Sequence, residues 1–269
     1  MRLHPMPAPS SNPRITRRPL VIAHRGGAPH DIENTLTAFQ HGLEVGSDLI
    51  ECDLRTSSDG AIVLYHDAQV AGVRVHALPL SELRRRIPTL VTFNEFLAWA
   101  AQQQRFPRVV LDLKEPALDR ALAPYLGDAA FRRAVIVTTQ NMGSIRRLRR
   151  AWPDLRVGLS RGQAAAGARP AYLRPGLVGI LRPLLLLLLL PQLRWSKANV
   201  VVLHHRLVTR NAVERFHRAG VRVYVWTVDD CLEAQALGAL GVDYIASNRP
   251  WLLRGCLGLF EDDQSSPSG

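Results

Sequence analysis

A small set of residues in this chain has the types and spacings needed to do chemistry together. Glu51-x-Asp53 falls in the alternating run from Leu49 to Leu54, which reads as a strand, so its two carboxylates point to one face. Asp112-x-Lys114 repeats that spacing at the end of the strand-like run from Arg108 to Leu113. His24 and His66 each close a short apolar run. The three carboxylates Glu51, Asp53 and Asp112 make an all-oxygen donor set of the kind hard divalent cations such as Mg²⁺ or Ca²⁺ take, and no Cys/His set competes for zinc. The two imidazoles can carry protons near neutral pH, and Arg25 and Lys114 add fixed positive charge. Such a set suits an anionic phosphodiester. The cation and the two basic side chains would bind its non-bridging oxygens; one histidine would activate the attacking oxygen and the other protonate the leaving alkoxide.

Plainer readings exist for each residue. A carboxylate at a strand end often serves only as an arginine's partner, and a single histidine is more often structural than catalytic. Lys114 could be an ordinary surface lysine, but the only other lysine is Lys197 in a chain that otherwise uses arginine. Trp226 reads as core or, from its place at a strand end, as a pocket wall. His204 and His205 read as structural and Cys52 as core.

The elements that must position these groups alternate. Strands are expected at Leu20–Ala23, Leu49–Leu54, Arg108–Leu113, Ala134–Thr138, Leu155–Leu159, Asn199–Leu203, Val221–Trp226 and Val242–Ala246, with helices between them. Asn34 or Thr35 can cap the first helix, Thr92 or Asn94 can start another through Gln102, and a helix is expected from Ala117 to Leu126. Asp59-Gly60 reads as a two-residue hairpin turn, which would set His66 opposite Asp53 on a return strand. Strand–helix alternation argues for a parallel sheet, and the polar candidates all fall at the carboxyl ends of the strands. That is where a (β/α)8 TIM barrel builds its site, here with a β-hairpin insertion after strand 2. Gly26-Gly27 alone makes no dinucleotide fingerprint, which disfavours a doubly wound sheet.

The chain has 269 residues and a formal net charge of +11. Its arginines are scattered over segments that read as outer helices, with no aromatic-interleaved basic motif, so nucleic acid is not expected as a partner. Three cysteines without metal or redox spacing imply buried thiols in a reducing compartment. The stretch 1–19 lacks an apolar signal region and reads as a disordered basic leader on a cytoplasmic protein; 20–255 reads as the barrel domain and 256–269 as a disordered tail. The stretch 176–195 breaks the pattern with the leucine run Leu184–Leu190. It is too short to span a membrane, and reads either as a buried helix or as an apolar lip making peripheral membrane contact.

His24-Arg25-Gly26, Glu33-Asn34-Thr35, the run from Gly46 to Asp67, Trp226-Thr227-Val228 and the stretch from Gly241 to Pro250 resemble the glycerophosphodiester phosphodiesterases, in that family's order. The resemblance implies a (β/α)8 barrel that hydrolyses glycerophosphodiesters to glycerol 3-phosphate and an alcohol. It implies one divalent cation on Glu51, Asp53 and Asp112, with His24 and His66 as the acid/base pair. It also implies phosphate or substrate contacts at Arg25, Lys114 and Trp226, with Glu33 and Asn34 supporting the site. Asp112 stands where the family usually has Glu, the segment after Asp67 is short, and the leucine run is not a family hallmark. An open mouth beside an apolar lip makes lysophospholipids an alternative substrate, cleaved in lysophospholipase D fashion. A catalytically silent barrel that binds anionic lipid is the rival reading.

Overall fold

The computed structural model describes residues 18–27, 32–161 and 188–258. Strands follow in chain order as β1 (Leu20–Ala23), β2 (Leu49–Thr56), β3 (Ile62–Leu64), β4 (Gln69–Val70), β5 (Val73–Arg74), β6 (Val91–Thr92), β7 (Val109–Leu113), β8 (Val135–Thr139), β9 (Arg156–Ser160), β10 (Val200–His204), β11 (Arg222–Trp226) and β12 (Tyr244–Ser247). Eight of them pair in parallel in the order β1-β12-β11-β10-β9-β8-β7-β2, and β1 also pairs with β2, which closes the barrel. Strands covered on both faces must be apolar throughout, and Val109, Val110 and Leu111 of β7 are all fully buried. Alternate residues fill the barrel, among them Ile22, Val110, Ile136 and Tyr244, while their neighbours pack under the surrounding helices.

The helices are α1 (Leu36–Glu44), α2 (Leu80–Arg86), α3 (Phe93–Ala101), α4 (Leu118–Leu122), α5 (Ala129–Ala134), α6 (Met142–Ala151), α7 (its described part, 188–196), α8 (Arg210–Arg218), α9 (Cys231–Leu240) and α10 (Pro250–Gly258). Thr92 caps α3 in a reciprocal box with Glu95, satisfying two otherwise unpaired backbone donors. Thr35, not Asn34, caps α1 through Ala38 N, because Asn34 gives its side chain to the strand beside it. The helix expected over 117–126 ends early, at Leu122. Pro124, which has no N–H to continue the ladder, precedes a 3₁₀ turn at Tyr125–Gly127.

Two further expectations are corrected. The tail expected from 256 is helical at its start, since α10 runs to Gly258. Cys231 and Cys256, expected as separate reduced thiols, are joined in a disulfide that ties α9 to α10, with Cα atoms 6.0 Å apart. Their 25-residue separation carries no spacing signal; the packing of the two helices brings them together. Cys52 is a free, buried thiol. The leader up to residue 17, the stretch 176–187 that opens the leucine run, and the tail from 259 lie outside the described residues.

Candidate active site

Alternation along β2 sends Glu51, Asp53 and Arg55 to one face, and the parallel pairing of β7 sets Asp112 beside Asp53. Glu51, Asp53 and Asp112 are all buried, and one oxygen from each lies within 4.8 Å of the others. Three buried carboxylates repel one another. Burial and then Asp53 push the Glu51 carboxyl well above its ordinary range. Burial also penalises ionised Asp53, but Lys114 and Arg25 outweigh it and hold that carboxyl far below its ordinary value.

The two cations are drawn into this cluster. Lys114 Nζ sits 2.7 Å from Asp53 Oδ1 and 2.6 Å from Asp112 Oδ2, a bridge between β2 and β7 at the wall of the cavity. Burial lowers its pKa, yet Asp112 and Asp53 raise it further, so the ammonium stays charged. Arg25 occupies left-handed backbone, φ 53°, which turns its N–H onto Glu51 Oε2 at 2.8 Å. Its guanidinium donates to both oxygens of Glu33 and lies 3.3 Å from Asp53. Asn34 donates to Asp53 Oδ2 and accepts from Asp53 N, each at 3.0 Å. Gly26 permits the close approach behind this loop, because a Cβ there would meet Ala38 Cβ at 2.6 Å and its φ is +94°.

Asp53 Oδ1 accepts no well-aligned hydrogen bond among the described residues, its one close neighbour there being the Lys114 ammonium at 2.7 Å. A carboxylate oxygen has two lone pairs, so an ion pair with Lys114 leaves capacity for a second positive partner. With three hard oxygen donors around it, the cluster fits a divalent cation.

His24 follows β1, and its Nδ1 lies 2.8 Å from Asn248 Oδ1. The Asn248 amide is oriented by Asp229, which accepts from Asn248 Nδ2 at 2.9 Å. Asn248 therefore presents its carbonyl oxygen, so His24 Nδ1 carries the proton and Nε2 keeps its lone pair. Burial, and next the Arg25 charge, bring the His24 pKa down to about 4. This imidazole is neutral at pH 7.

His66 is not where the expected register put it. The hairpin pairs Leu54 with Leu64 and Thr56 with Ile62, one residue off the expectation, and it is Tyr65 that donates to Asp53 O at 3.0 Å. The turn holds three residues, Ser58, Asp59 and Gly60, closed by Ser57 N to Ala61 O, with Gly60 at φ +85°. A three-residue loop ending in a left-handed glycine is the next commonest hairpin closure after the two-residue one. His66 lies past the end of the ladder, yet it still lines the same cavity of about 920 Å³ as His24, Arg25, Glu51, Asp112 and Lys114. Its pKa is lowered, by burial first, against the raising effect of Asp53.

Trp226 also lines this cavity, and its buried Nε1 meets no acceptor among the described residues. His204, read as structural from sequence, lines the wall beside it, with the two rings 5.5 Å apart. Burial, then His205, lowers its pKa to about 4. Sequence reasoning missed Thr138, which donates to Asp112 Oδ1 at 2.6 Å, and the orienting pair Asn248 and Asp229. Their positions follow from strand register and a loop return. Arg55 was missed as well, although it continues the alternation of Glu51 and Asp53 and could have been found from it.

The model of the glycerophosphoryl diester phosphodiesterase family matches residues 24–252. This chain belongs to that family. It is accordingly a phosphoric diester hydrolase, and the cavity at the carboxyl ends of its strands lies where such a barrel carries its chemistry. A glycerophosphodiester phosphodiesterase of Caldanaerobacter subterraneus is 26% identical over 255 residues, covering 86% of this chain and 94% of the relative. Among solved structures, a glycerophosphodiester phosphodiesterase from Parabacteroides distasonis superposes with a TM-score of 0.73 at 19% identity, over 91% of this chain and 99% of that one. A phosphodiesterase from Oleispira antarctica, solved with its product sn-glycerol-3-phosphate, gives a TM-score of 0.69 at 19% identity, over 90% and 97% of the two chains. No helix among the described residues is long and apolar enough to cross a membrane.

Proposed function

We propose that this chain hydrolyses glycerophosphodiesters to sn-glycerol 3-phosphate and an alcohol, using one divalent cation, Mg²⁺ or Ca²⁺, held by Glu51, Asp53 and Asp112. The observation that carries the reading is the buried carboxylate triangle opening into a cavity lined by both His24 and His66. When bound, the cation supplies Lewis-acid polarisation and neutralises charge on the phosphoryl oxygens. His24, neutral and with its Nε2 lone pair available, takes a proton at that atom from the attacking oxygen. His66, more exposed at the rim and hydrogen-bonded through Nδ1 to Asp67, gives a proton to the leaving alkoxide. Arg25 and Lys114 hold the charge balance of the site, and Trp226 walls the substrate. The relative from Oleispira antarctica, solved with sn-glycerol-3-phosphate, supports the product assigned here.

One observation favours a second reading, action on lysophospholipids at a bilayer. At the described end of the leucine run Leu188 and Trp195 are 53% and 52% exposed, and Arg146 lies over the Trp195 ring. That edge offers apolar side chains and positive charge together, as a lipid surface requires. A substrate panel decides between the readings. Release of glycerol 3-phosphate from glycerophosphocholine and glycerophosphoglycerol is expected with Mg²⁺ or Ca²⁺ and lost in EDTA. Release undiminished by EDTA would remove the cation, whereas turnover confined to lysolipid vesicles would favour the second reading.

A further inference from the structure

The displaced register leaves a question that the backbone ladder does not answer: what holds His66 in place. β3 ends at Leu64, and the last ladder-like bond is Tyr65 N to Asp53 O. Among the described residues the His66 ring is hydrogen-bonded only to Asp67, whose side chain is 70% exposed. Its main-chain carbonyl, by contrast, is gripped by a buried guanidinium. Arg55 donates to His66 O from Nε at 3.1 Å and from Nη2 at 2.7 Å.

Arg55 is itself held. Its Nη1 donates to Glu115 Oε1 at 3.1 Å, and the other Glu115 oxygen accepts from Thr56 N at 3.2 Å and Thr56 Oγ1 at 2.8 Å. Glu115 follows Lys114 directly, so the same loop that feeds an ammonium into the carboxylate cluster also fixes the fork that holds His66. His76 approaches Glu115 from the hairpin side at 4.0 Å. Arg55 is only 8% exposed, and a planar fork that spans one carbonyl and one carboxylate has no substitute in a single-point ammonium.

We propose that Arg55 is a positioning residue for His66, with Glu115 as its anchor: the Arg55 fork sets the main chain at His66, and thereby where the imidazole meets the substrate's leaving oxygen. Arg55 also lines the cavity, but its Nε and Nη2 donate to His66 O and its Nη1 to Glu115, so its role is assigned through His66, and the cycle below tells that from a direct contact with substrate. This rests on the role given to His66 above, and the test separates the two.

Arg55→Gln and Arg55→Lys are expected to lower kcat roughly 10- to 100-fold, the scale of a misplacement near 1 Å, with KM little changed. Arg55→Lys keeps the charge against Glu115, so it carries the test should Arg55→Gln fail to fold. Glu115→Gln, which keeps an acceptor for Arg55, should recover most of the turnover that Glu115→Ala loses. The deciding measurement is the cycle with His66→Ala, in which Arg55→Gln adds no further loss. If Arg55→Gln costs His66→Ala the same factor it costs the native chain, Arg55 acts on its own and the inference is overturned. If His66→Ala keeps full turnover, the acid role of His66 falls instead. The crystal structure of the Arg55 variant then judges positioning alone: a displaced His66 supports it and an unmoved one overturns it.

Discussion

Replacing Lys114 by Met tests whether the carboxylate cluster requires external positive charge. The side chain is 9% exposed and bridges Asp53 and Asp112 at 2.7 and 2.6 Å. Removing one partner of a buried ion pair costs about 3–5 kcal/mol, since it leaves charge uncompensated in a poorly solvated place. Because the site opens into a cavity that admits water, we take the lower end, about 3 kcal/mol. For a domain of this size each kcal/mol moves Tm by about 2–4 °C, so a fall of roughly 6–12 °C is expected in EDTA. A cation bound only by the folded chain adds about 2.7 kcal/mol at a hundred times its Kd. Lys114 and the cation repel one another, so the variant gains more from the cation than the native chain does. Thermal unfolding of both proteins, in EDTA and in saturating Mg²⁺ or Ca²⁺, reads this directly. A Tm indifferent to the cation in both would falsify the site, whatever the activity.

Asn248→Ala removes the acceptor that fixes the His24 tautomer. Turnover should fall on the order of 10²-fold with substrate affinity largely kept, and Asp229→Ala should do part of the same damage; steady-state kinetics with an unchanged circular dichroism spectrum check this. The His24 pKa is lowered to about 4, by burial and then Arg25, so its neutral form survives as pH falls below 6.5. The acid limb of kcat/KM attributable to the base should therefore lie well below pH 6.5. By the same sign, the neutral buried ring contributes stability above its unfolded value of about 6.5 that is lost as pH falls towards 4. An acid limb centred at 6.5 or higher would show that His24 is not the base.

Much of this molecule could be read along the chain. Parallel strands buried on both faces must be near-continuous runs of Val, Ile and Leu, and Val109-Val110-Leu111 or Val200-Val201-Val202 have no other reasonable place. Period-two spacing alone put Glu51 with Asp53, and the same parity extends to Arg55. The boundaries moved where local chemistry competed, as when Asn34 turned to Asp53 and left the cap of α1 to Thr35.

The residue types, their spacing within each strand and the barrel class were settled by the sequence, because side-chain direction in a strand depends only on parity. Tertiary structure decided everything that joins two strands or a strand to a loop. Whether Asp59-Gly60 closes two residues or three turns on Asp59, which a type I′ turn would hold at positive φ beside Gly60 and which is not at positive φ here, and that choice displaced His66 by one register step. The Lys114 bridge depends on the β2–β7 pairing, the Asn248 contact to His24 on a return 224 residues away, and the Cys231–Cys256 bond on how α9 meets α10. Distances of that kind are fixed by packing, and no local pattern encodes them.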